Sequence, residues 1–363
     1  MFKIVENIQN TDRSIFESLI CILFIEYLEG NSLNMKENEF YCENGNTGMK
    51  KCAIIGCGFV GATTAYTIMQ SRLFNEMVLI DIDKKKAYGE AMDLTHALPF
   101  VSPMSIYAGD YSDLSDAGII IITAGANQRP GQTRIDLVKT NVRIFESIVG
   151  QIKKYNSTAI LLVVSNPVDI LTYVTLRLSG FPKERVIGSG TVLDTARLKQ
   201  LVGSHLGVDA RNVHSFIIGE HGDSEVAIWS SANISGINLN EFCDTICNDC
   251  SINTLRSLHD QVKNSAYRII EAKGVTNYAI AEAVRRIVSA IVRDEDTVMP
   301  VSVLADGHYG MNDLCIGLPC IVGAGGIHRI LDIPLDESET MMLMKSCDAL
   351  KEIIGSVSVE ALV

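Results

Sequence analysis

The stretch Gly56-Cys57-Gly58-Phe59-Val60-Gly61 joins an apolar run, Cys52–Ile55, to a segment with helical character. A second apolar run, Met77–Ile80, follows that segment and ends at Asp81, twenty positions after the last glycine of the turn. A glycine turn between a strand and a helix, followed by a strand that ends in an acid, is typical of a dinucleotide-binding βαβ unit. The stretch therefore predicts a Rossmann-type parallel sheet in this part of the chain.

The three glycines and the aspartate of this unit have separate expected roles. Gly56 permits the tight turn, Gly58 lets the backbone approach a pyrophosphate, and Gly61 lets the helix pack closely on the strand. The pyrophosphate would rest on the positive end of the helix. Asp81 would accept hydrogen bonds from the adenosine ribose, and its charge would repel a 2′-phosphate, so NAD is favoured over NADP. The expected cofactor contacts here are Gly56, Gly58, Phe59, Val60, Gly61 and Asp81.

The hydrophobic pattern predicts an α/β chain: a Rossmann-type parallel sheet domain followed by an α+β catalytic domain. From Met49 onward, short apolar runs alternate with amphipathic segments, as expected for parallel strands that are buried on both faces. The remaining runs are Ile119–Thr123, Ala159–Ser165 and Val186–Ile187. After about Gly190 a long helical stretch and candidate antiparallel strands are mixed, which indicates α+β architecture. The helix is predicted at Ala279–Val292, and the strands at Ser215–Ile218, Val301–Leu304 and Leu318–Val322.

Three segments follow from this pattern. Residues 49–190 are expected to form the NAD-binding domain, and residues 191–363 the catalytic domain. Residues 1–48 lack a strong periodicity and are interpreted as an N-terminal extension of unknown role, with a misassigned start site as the open alternative.

Composition and charge exclude several function classes. The 363 residues carry a net charge of −12, which disfavours binding to nucleic acid or to an anionic membrane. No apolar run approaches the roughly twenty residues that a membrane span needs, and no export signal is clear, so a cytoplasmic protein is expected. Of the ten cysteines, Cys243, Cys247 and Cys250 have a spacing that could hold a metal or an iron–sulfur centre. We interpret them instead as free thiols, because no fourth ligand is obvious, and we expect no metal.

A histidine between glycines is the candidate acid/base. His221 lies in Gly219-Glu220-His221-Gly222-Asp223, a polar turn after an apolar run, and an imidazole titrates near working pH. Asp194 and Arg197 are three residues apart, which puts both on one helix face. Asp194 could hold and charge His221, while Arg197 could bind a substrate carboxylate with two hydrogen bonds. The alternative is an intrahelical salt bridge beside an ordinary loop histidine.

A third candidate segment runs from Ala124 to Arg134 and is rich in small and polar residues. It follows an apolar strand, and open α/β sheets bind ligands at the carboxyl ends of their strands. We expect Ala124 and Gly125 to contact the cofactor and the rest to form a closing lid. A solvated loop without a role is the alternative.

Together these stretches resemble the lactate/malate dehydrogenase family, bacterial members in particular, from about Met49 to the C-terminus. The family's motifs occur in order: the glycine turn, Asp81, Pro130-Gly131, Ser165-Asn166-Pro167, Asp194/Arg197, the Gly-Glu-His-Gly-Asp turn and Lys273-Gly274-Val275-Thr276. The resemblance implies that His221 exchanges the proton, Asp194 is its partner and Arg197 holds the carboxylate. It also implies that Arg134 polarises the carbonyl and that Asn166 contacts the cofactor ribose and orients the substrate.

Within this family, position 128 separates the substrates. Malate enzymes carry arginine where this chain has Gln128, six residues before Arg134. Because Gln128 is neutral, the second carboxylate of oxaloacetate would be buried without a cation, at a cost of several kcal/mol. Thr276 points the same way. The resemblance therefore implies reversible NADH-dependent reduction of pyruvate to L-lactate, as in glycolysis coupled to fermentation, with malate or another 2-hydroxy acid as the alternative.

Two functions of other classes fit less well. An NAD-dependent glycosidase of related fold would need a metal-binding set of cysteine and histidine. A non-catalytic NAD sensor would be expected to have lost one of His221, Asp194 and Arg197, and all three are present.

The resemblance also implies a homotetramer and raises the question of regulation. In relatives activated by fructose 1,6-bisphosphate, basic residues at the positions of Lys199 and His214 meet their copies across a subunit interface. Lysine keeps the charge but lacks the planar fork of the arginine found in those relatives. Two interpretations stay equally open: that the bisphosphate activates this protein, or that Lys199 and His214 are an ordinary surface lysine and histidine.

Overall fold

The computed structural model describes residues 49–126, 133–246 and 251–357, which fall within one compact unit, Gly45–Val363. Nine of its strands form one sheet: β1 (Lys51–Ile55), β2 (Glu76–Ile80), β3 (Ser105–Ala108), β4 (Ile119–Ile122), β5 (Ile160–Val163), β6 (Val186–Gly188), β12 (Thr297–Leu304), β13 (Cys315–Gly323) and β14 (Gly326–Ile330). The short strands are β7 (Val213–His214), β8 (Ile217–Ile218), β9 (Val226–Ala227), β10 (Asn233–Ile234) and β11 (Ile237–Asn238).

The described helices flank and follow this sheet. They are α1 (Phe59–Ser71), α2 (Lys84–Ala97), α3 (Arg134–Tyr155), α4 (Val168–Ser179), α5 (Val192–Leu206), α6 (Leu239–Ile246), α7 (Ile252–Lys273), α8 (Tyr278–Val292) and α9 (Glu337–Val357). Single 3₁₀ turns lie at Leu98–Phe100, Tyr111–Leu114, Lys183–Arg185, Ala210–Asn212 and His308–Gly310. Within these ranges no helix is both long and apolar enough to cross a membrane.

The order of the parallel strands confirms the Rossmann-type sheet. From one edge the strands run β3-β2-β1-β4-β5-β6, so the chain reverses direction across the sheet between β1 and β4. Each of β1, β4 and β5 is buried along its whole length. The sequences of β4 and β5 are uniformly apolar, as this burial requires, and β1 is apolar after its first residue, Lys51. Right-handed crossovers in opposite directions put α1 and α2 on one face and α3 and α4 on the other. The crevice at this reversal is where such sheets bind ligands.

The second half of the chain extends the same sheet. Strand β12 joins antiparallel to β6 through Ser302 and Gly188, and β13 and β14 continue in antiparallel register. The antiparallel strands predicted around Val301–Leu304 and Leu318–Val322 are therefore present but longer. A separate apolar cluster packs α5, α6 and α7 together around residues such as Leu198, Val202, Val213, Ile234, Phe242, Leu255 and Val262.

The strands differ from the prediction in places. Of the predicted strand Ser215–Ile218 only Ile217–Ile218 form a strand, β8, which pairs with β9, whereas the preceding β7 pairs with β10. Between them the Ser215 hydroxyl donates to the Ile228 carbonyl. The edge strand β3 is among the described strands that the sequence did not suggest, because Ile106 is its one buried residue.

The cysteine interpretation needs a correction. Cys243 is disulfide-bonded rather than a free thiol, and it is buried on α6. Cys247 and Cys250 lie outside the described residues. Among the described residues the free thiols are all buried, as expected for small hydrophobic residues; they are Cys52, Cys57, Cys315, Cys320 and Cys347.

Candidate active site

The predicted histidine and aspartate lie in direct contact. Asp194 is in the first turn of α5, and its Oδ2 atom is 2.5 Å from Nδ1 of His221, which lies in the turn after β8. The aspartate side chain is 2% exposed, whereas the imidazole keeps 25% of its surface exposed. An ion-pair partner at Nδ1 leaves Nε2 as the ring atom that can exchange a proton with a ligand.

This contact determines the charge of the imidazole. Burial alone would lower the pKa of His221, but the charge of Asp194 and the hydrogen bond with it are stronger together and raise the pKa to about 9. Burial opposes ionisation of Asp194, yet His221 and Arg197 hold the pKa of its carboxyl below the usual value. Both shifts favour an imidazolium paired with a carboxylate at neutral pH.

Arg197 completes the cluster from the same helix. Its Nη1 atom donates to Oδ1 of Asp194 over 2.9 Å, and its side chain is 13% exposed. A guanidinium has five N–H donors, so one bond to Asp194 leaves donors for a substrate carboxylate. The three-residue spacing thus places Asp194 and Arg197 on one helix face, as predicted. The intrahelical salt bridge that was considered as an alternative is also present, between these same two side chains.

A second buried carboxylate, which the sequence analysis missed, holds the histidine turn. Asp169 on α4 accepts from the backbone N–H of His221 over 2.7 Å and from the hydroxyl of Ser302 over 2.6 Å. Burial raises the pKa of Asp169 to about 6, although both hydrogen bonds oppose the rise. Asp169 lies two residues after Ser165-Asn166-Pro167, and an acid within a largely apolar helical stretch was the signal that could have revealed it.

The glycine turn fits the predicted phosphate-binding geometry. A Cβ atom on Gly61 would lie 1.8 Å from the Gly56 carbonyl oxygen, and Gly56 itself has a φ of +101°. Both glycines are therefore required by the fold of the turn. At Gly58, by contrast, a Cβ atom would meet no protein atom within 4 Å. The bare backbone at the start of α1 leaves open space, which suits a bound pyrophosphate.

Asp81 lies where the cofactor hypothesis requires it, at the end of β2 beside the glycine turn. Its Oδ2 atom accepts from the Cys57 N–H over 2.6 Å, and its Oδ1 atom accepts from the Asp83 N–H over 2.9 Å. Each carboxylate oxygen can accept a further bond, so Asp81 can fix the turn and still accept from a ribose hydroxyl.

The loops after β4 and β5 are tied to each other by Asn141, another residue that the sequence analysis did not single out. Its side chain accepts from the Ala126 N–H over 2.7 Å and donates to the Asn166 carbonyl over 2.9 Å. Asn166, which precedes a cis proline peptide, is exposed at this edge of the sheet. Ala124 and Gly125 directly precede Ala126, so Asn141 brings these two expected cofactor residues close to the third, Asn166.

A small cavity of about 30 Å³ brings the predicted residues Asn166 and His221 together. Leu193, Ile280 and Ala283 provide apolar lining that the sequence analysis missed. An apolar wall beside an ionisable imidazole suits a small substrate with one charged end. Apolar residues on helices look like core residues in sequence, which is why this lining gave no signal.

Other predicted residues stand as follows. Gln128 and the Pro130-Gly131 segment lie outside the described residues, and Arg134 begins α3 without a described side chain. Thr276 is half-buried in the segment between α7 and α8. For the regulatory pair, Lys199 is partly buried on α5, where burial lowers its pKa, and His214 is exposed on β7.

Comparison with known proteins supports one family over nearly all of this region. The model for the lactate/malate dehydrogenase NAD binding domain matches residues 50–188. The model for the lactate/malate dehydrogenase alpha/beta C-terminal domain matches residues 191–360.

Individual relatives agree with the family models. An L-lactate dehydrogenase of Acetivibrio thermocellus is 57% identical over 317 residues, which is 87% of this chain and 100% of that protein. An L-lactate dehydrogenase of Clostridium perfringens is 54% identical over 301 residues, or 83% of this chain and 95% of that protein.

Solved structures are similar over the same part of the chain. A lactate dehydrogenase from a Medee basin deep-sea metagenome library superimposes with a TM-score of 0.83 at 44% identity, covering 85% of this chain and 99% of that one. The ligand-bound minor L-lactate dehydrogenase of Enterococcus mundtii gives a TM-score of 0.83 at 43% identity, covering 85% and 98%. The chain belongs to the lactate/malate dehydrogenase family.

Proposed function

We propose that this chain is an NAD-dependent L-lactate dehydrogenase that reduces pyruvate to L-lactate reversibly. The observation that carries the proposal is the contact of His221 with Asp194 beside Arg197, within a chain whose relatives are named L-lactate dehydrogenases. In this cluster His221 is the proton donor, Asp194 keeps the proton on His221, and Arg197 is the cation that binds a substrate carboxylate.

The chemistry divides between the cofactor and the side chains. NADH held at the glycine turn and Asp81 would supply a hydride for the carbonyl carbon of pyruvate, while His221 donates the proton that converts the carbonyl oxygen to a hydroxyl. The imidazolium becomes neutral in this direction, and lactate oxidation returns the proton to it. Asp194 stabilises the charged imidazole before the proton leaves, and Arg197 binds the carboxylate through the guanidinium donors that Asp194 does not use.

The remaining assignments rest on the family resemblance. In this proposal Arg134 polarises the carbonyl, and Asn166 and Thr276 contact the substrate. Gln128 leaves the site without the cation that a second carboxylate would need, so a keto acid with a methyl group is preferred. The glycine turn, Asp81, Ala124 and Gly125 hold the cofactor, consistent with the open space above Gly58.

The direct test is to follow NADH oxidation with pyruvate and to determine the chirality of the product. We expect L-lactate, and in the reverse direction NAD reduction with L-lactate but not with D-lactate. D-lactate as the product, or no turnover of pyruvate, would contradict the proposal.

Assembly, regulation and location belong to the same proposal. We infer a cytoplasmic homotetramer in which Lys199 and His214 of neighbouring subunits form a site for fructose 1,6-bisphosphate. Lys199 lies partly buried on α5, and burial lowers its pKa. If copies of Lys199 and His214 meet at a subunit interface, their like charges would repel, and a bisphosphate would relieve that repulsion. Lactate formation would then regenerate NAD for glycolysis.

A further inference from the structure

The segment between α7 and α8 carries Thr276 and is anchored by a neighbouring side chain. The ammonium of Lys273, the last residue of α7, donates to Oδ1 of Asn277 over 2.8 Å. Nδ2 of Asn277 in turn donates to the hydroxyl of Thr63 over 2.8 Å. Thr276 therefore lies in a short segment whose two ends are joined by Lys273 and Asn277 and whose far end is fastened to α1.

The connection continues to the first residue of α1. The Thr63 hydroxyl donates to the Phe59 carbonyl over 2.7 Å, one turn back along the helix. Phe59 follows Gly58, at the helix end where the pyrophosphate is proposed to bind. A continuous hydrogen-bonded path thus runs from the segment of Thr276 to the cofactor-binding end of α1.

The direction of each hydrogen bond is determined by its partners. Lys273 has only donors, so it must face the amide oxygen of Asn277 rather than the amide nitrogen. The Thr63 hydrogen is used on the Phe59 carbonyl, so the hydroxyl oxygen must accept from the amide nitrogen. Asn277 is 8% exposed, and its backbone carbonyl accepts from Ala281 in the first turn of α8. Aspartate or leucine could not make the same pair of bonds.

We propose that Asn277 is a positioning residue. It fixes the position of Thr276, beside the substrate, relative to α1, the helix that binds the cofactor. This inference rests on the proposed function, in which Thr276 contacts pyruvate. The amide oxygen and nitrogen of Asn277 are engaged by Lys273 and Thr63, so we assign Asn277 no contact of its own with substrate or cofactor. It acts by fixing the segment beside Thr276 to Thr63, so that a properly placed α1 also places the substrate contact.

The test is to break the link at Thr63, on the side away from the substrate. Thr63→Val removes the hydroxyl with little change of shape, and Thr63→Ser retains it. Thr67→Val is the matched control, since Thr67 lies one turn further along α1 and its hydroxyl also donates to a helix carbonyl, but it does not accept from Asn277. The measurements are kcat, the KM for pyruvate and the Kd for NADH.

We expect Thr63→Val to raise the KM for pyruvate about fivefold, the usual effect of one lost hydrogen bond, with kcat and the Kd for NADH within about twofold of wild type. Thr63→Ser and Thr67→Val should behave like wild type. Asn277→Ala also removes the bond to Lys273, so it should raise the KM at least as much as Thr63→Val. The double variant should be no worse than Asn277→Ala alone, because both substitutions break the link to Thr63.

Two results separate the possible failures. An unchanged KM in Thr63→Val, with a lowered Tm, would overturn the positioning role and make the link purely structural. A wild-type protein that does not reduce pyruvate at all would instead overturn the proposed function. If Asn277→Ala does not fold, the comparison of Thr63→Val with Thr63→Ser still decides.

Discussion

Nδ1 of His221 lies 2.5 Å from Oδ2 of Asp194, a carboxylate with 2% of its side chain exposed. The aspartate is far more buried than the histidine it contacts, so its charge is poorly screened and acts mainly on the imidazole. A histidine held in this way keeps its proton well above the pH at which a free imidazole loses it. The pair therefore determines both the tautomer and the working pH range of the proposed acid.

The first prediction concerns pH. Reduction needs the imidazolium, and the pKa of His221 is raised from 6.5 to about 9, so kcat/KM for pyruvate should be level below pH 9 and fall above it. The stabilising effect of this proton is fully present below pH 6.5 and is lost as the pH rises through about 9. Asp194→Asn removes the charge, so the fall should move to lower pH. An unchanged profile in Asp194→Asn would show that the carboxylate does not control the proton.

Replacement of the histidine separates chemistry from binding. His221→Asn should lower kcat by about a hundredfold or more, because a positioned acid typically contributes that much. The Kd for NADH should stay close to wild type, since the imidazole is assigned to proton transfer. Stopped-flow turnover and NADH fluorescence titration measure the two quantities. Turnover within a few-fold of wild type would remove His221 from its role.

The glycine turn offers a paired test of cofactor placement. Gly58→Ala meets no protein atom, so the free protein should keep its Tm, while the methyl group should raise the Kd for NADH by about tenfold through its position at the pyrophosphate. Gly61→Ala places a Cβ atom 1.8 Å from the Gly56 carbonyl oxygen and should destabilise the fold by about 1–3 kcal/mol or more. Normal NADH binding by Gly58→Ala would place the cofactor elsewhere.

The sequence predicted the parts of the molecule that depend on local pattern. The apolar runs located β1, β2 and β4 to within a residue or two, and the three-residue spacing of Asp194 and Arg197 placed both in one cluster. Contacts between distant segments were not predictable. Asp169 reaches the His221 backbone from 52 residues away, and no local pattern marks such a pair.

The same limit applies to the second half of the chain. The antiparallel strands were expected, but their joining to β6 depends on the single pairing of Ser302 with Gly188. The apolar lining by Leu193 and Ile280 was missed for a related reason: in a helical pattern, a residue that faces a ligand looks like one that faces the core.

Regulation by a sugar bisphosphate is open to a direct test. Fructose 1,6-bisphosphate should activate modestly at low pyruvate, at low salt and slightly acidic pH, because two phosphates would offset the repulsion between basic groups. Lys199→Ala combined with His214→Ala should abolish the effect, whereas Lys345→Ala, at an exposed lysine of α9, should preserve it. Rate curves that superimpose with and without the bisphosphate would discard the regulatory site.

Substrate choice tests the central claim most directly, through NADH oxidation measured side by side with pyruvate and with oxaloacetate. We predict a far higher kcat/KM for pyruvate, because neutral Gln128 leaves a second carboxylate without a cation. Gln128→Arg should reverse the order by supplying that cation. Equal efficiency of the wild-type protein on both substrates, or a preference for oxaloacetate, would contradict the assignment as an L-lactate dehydrogenase.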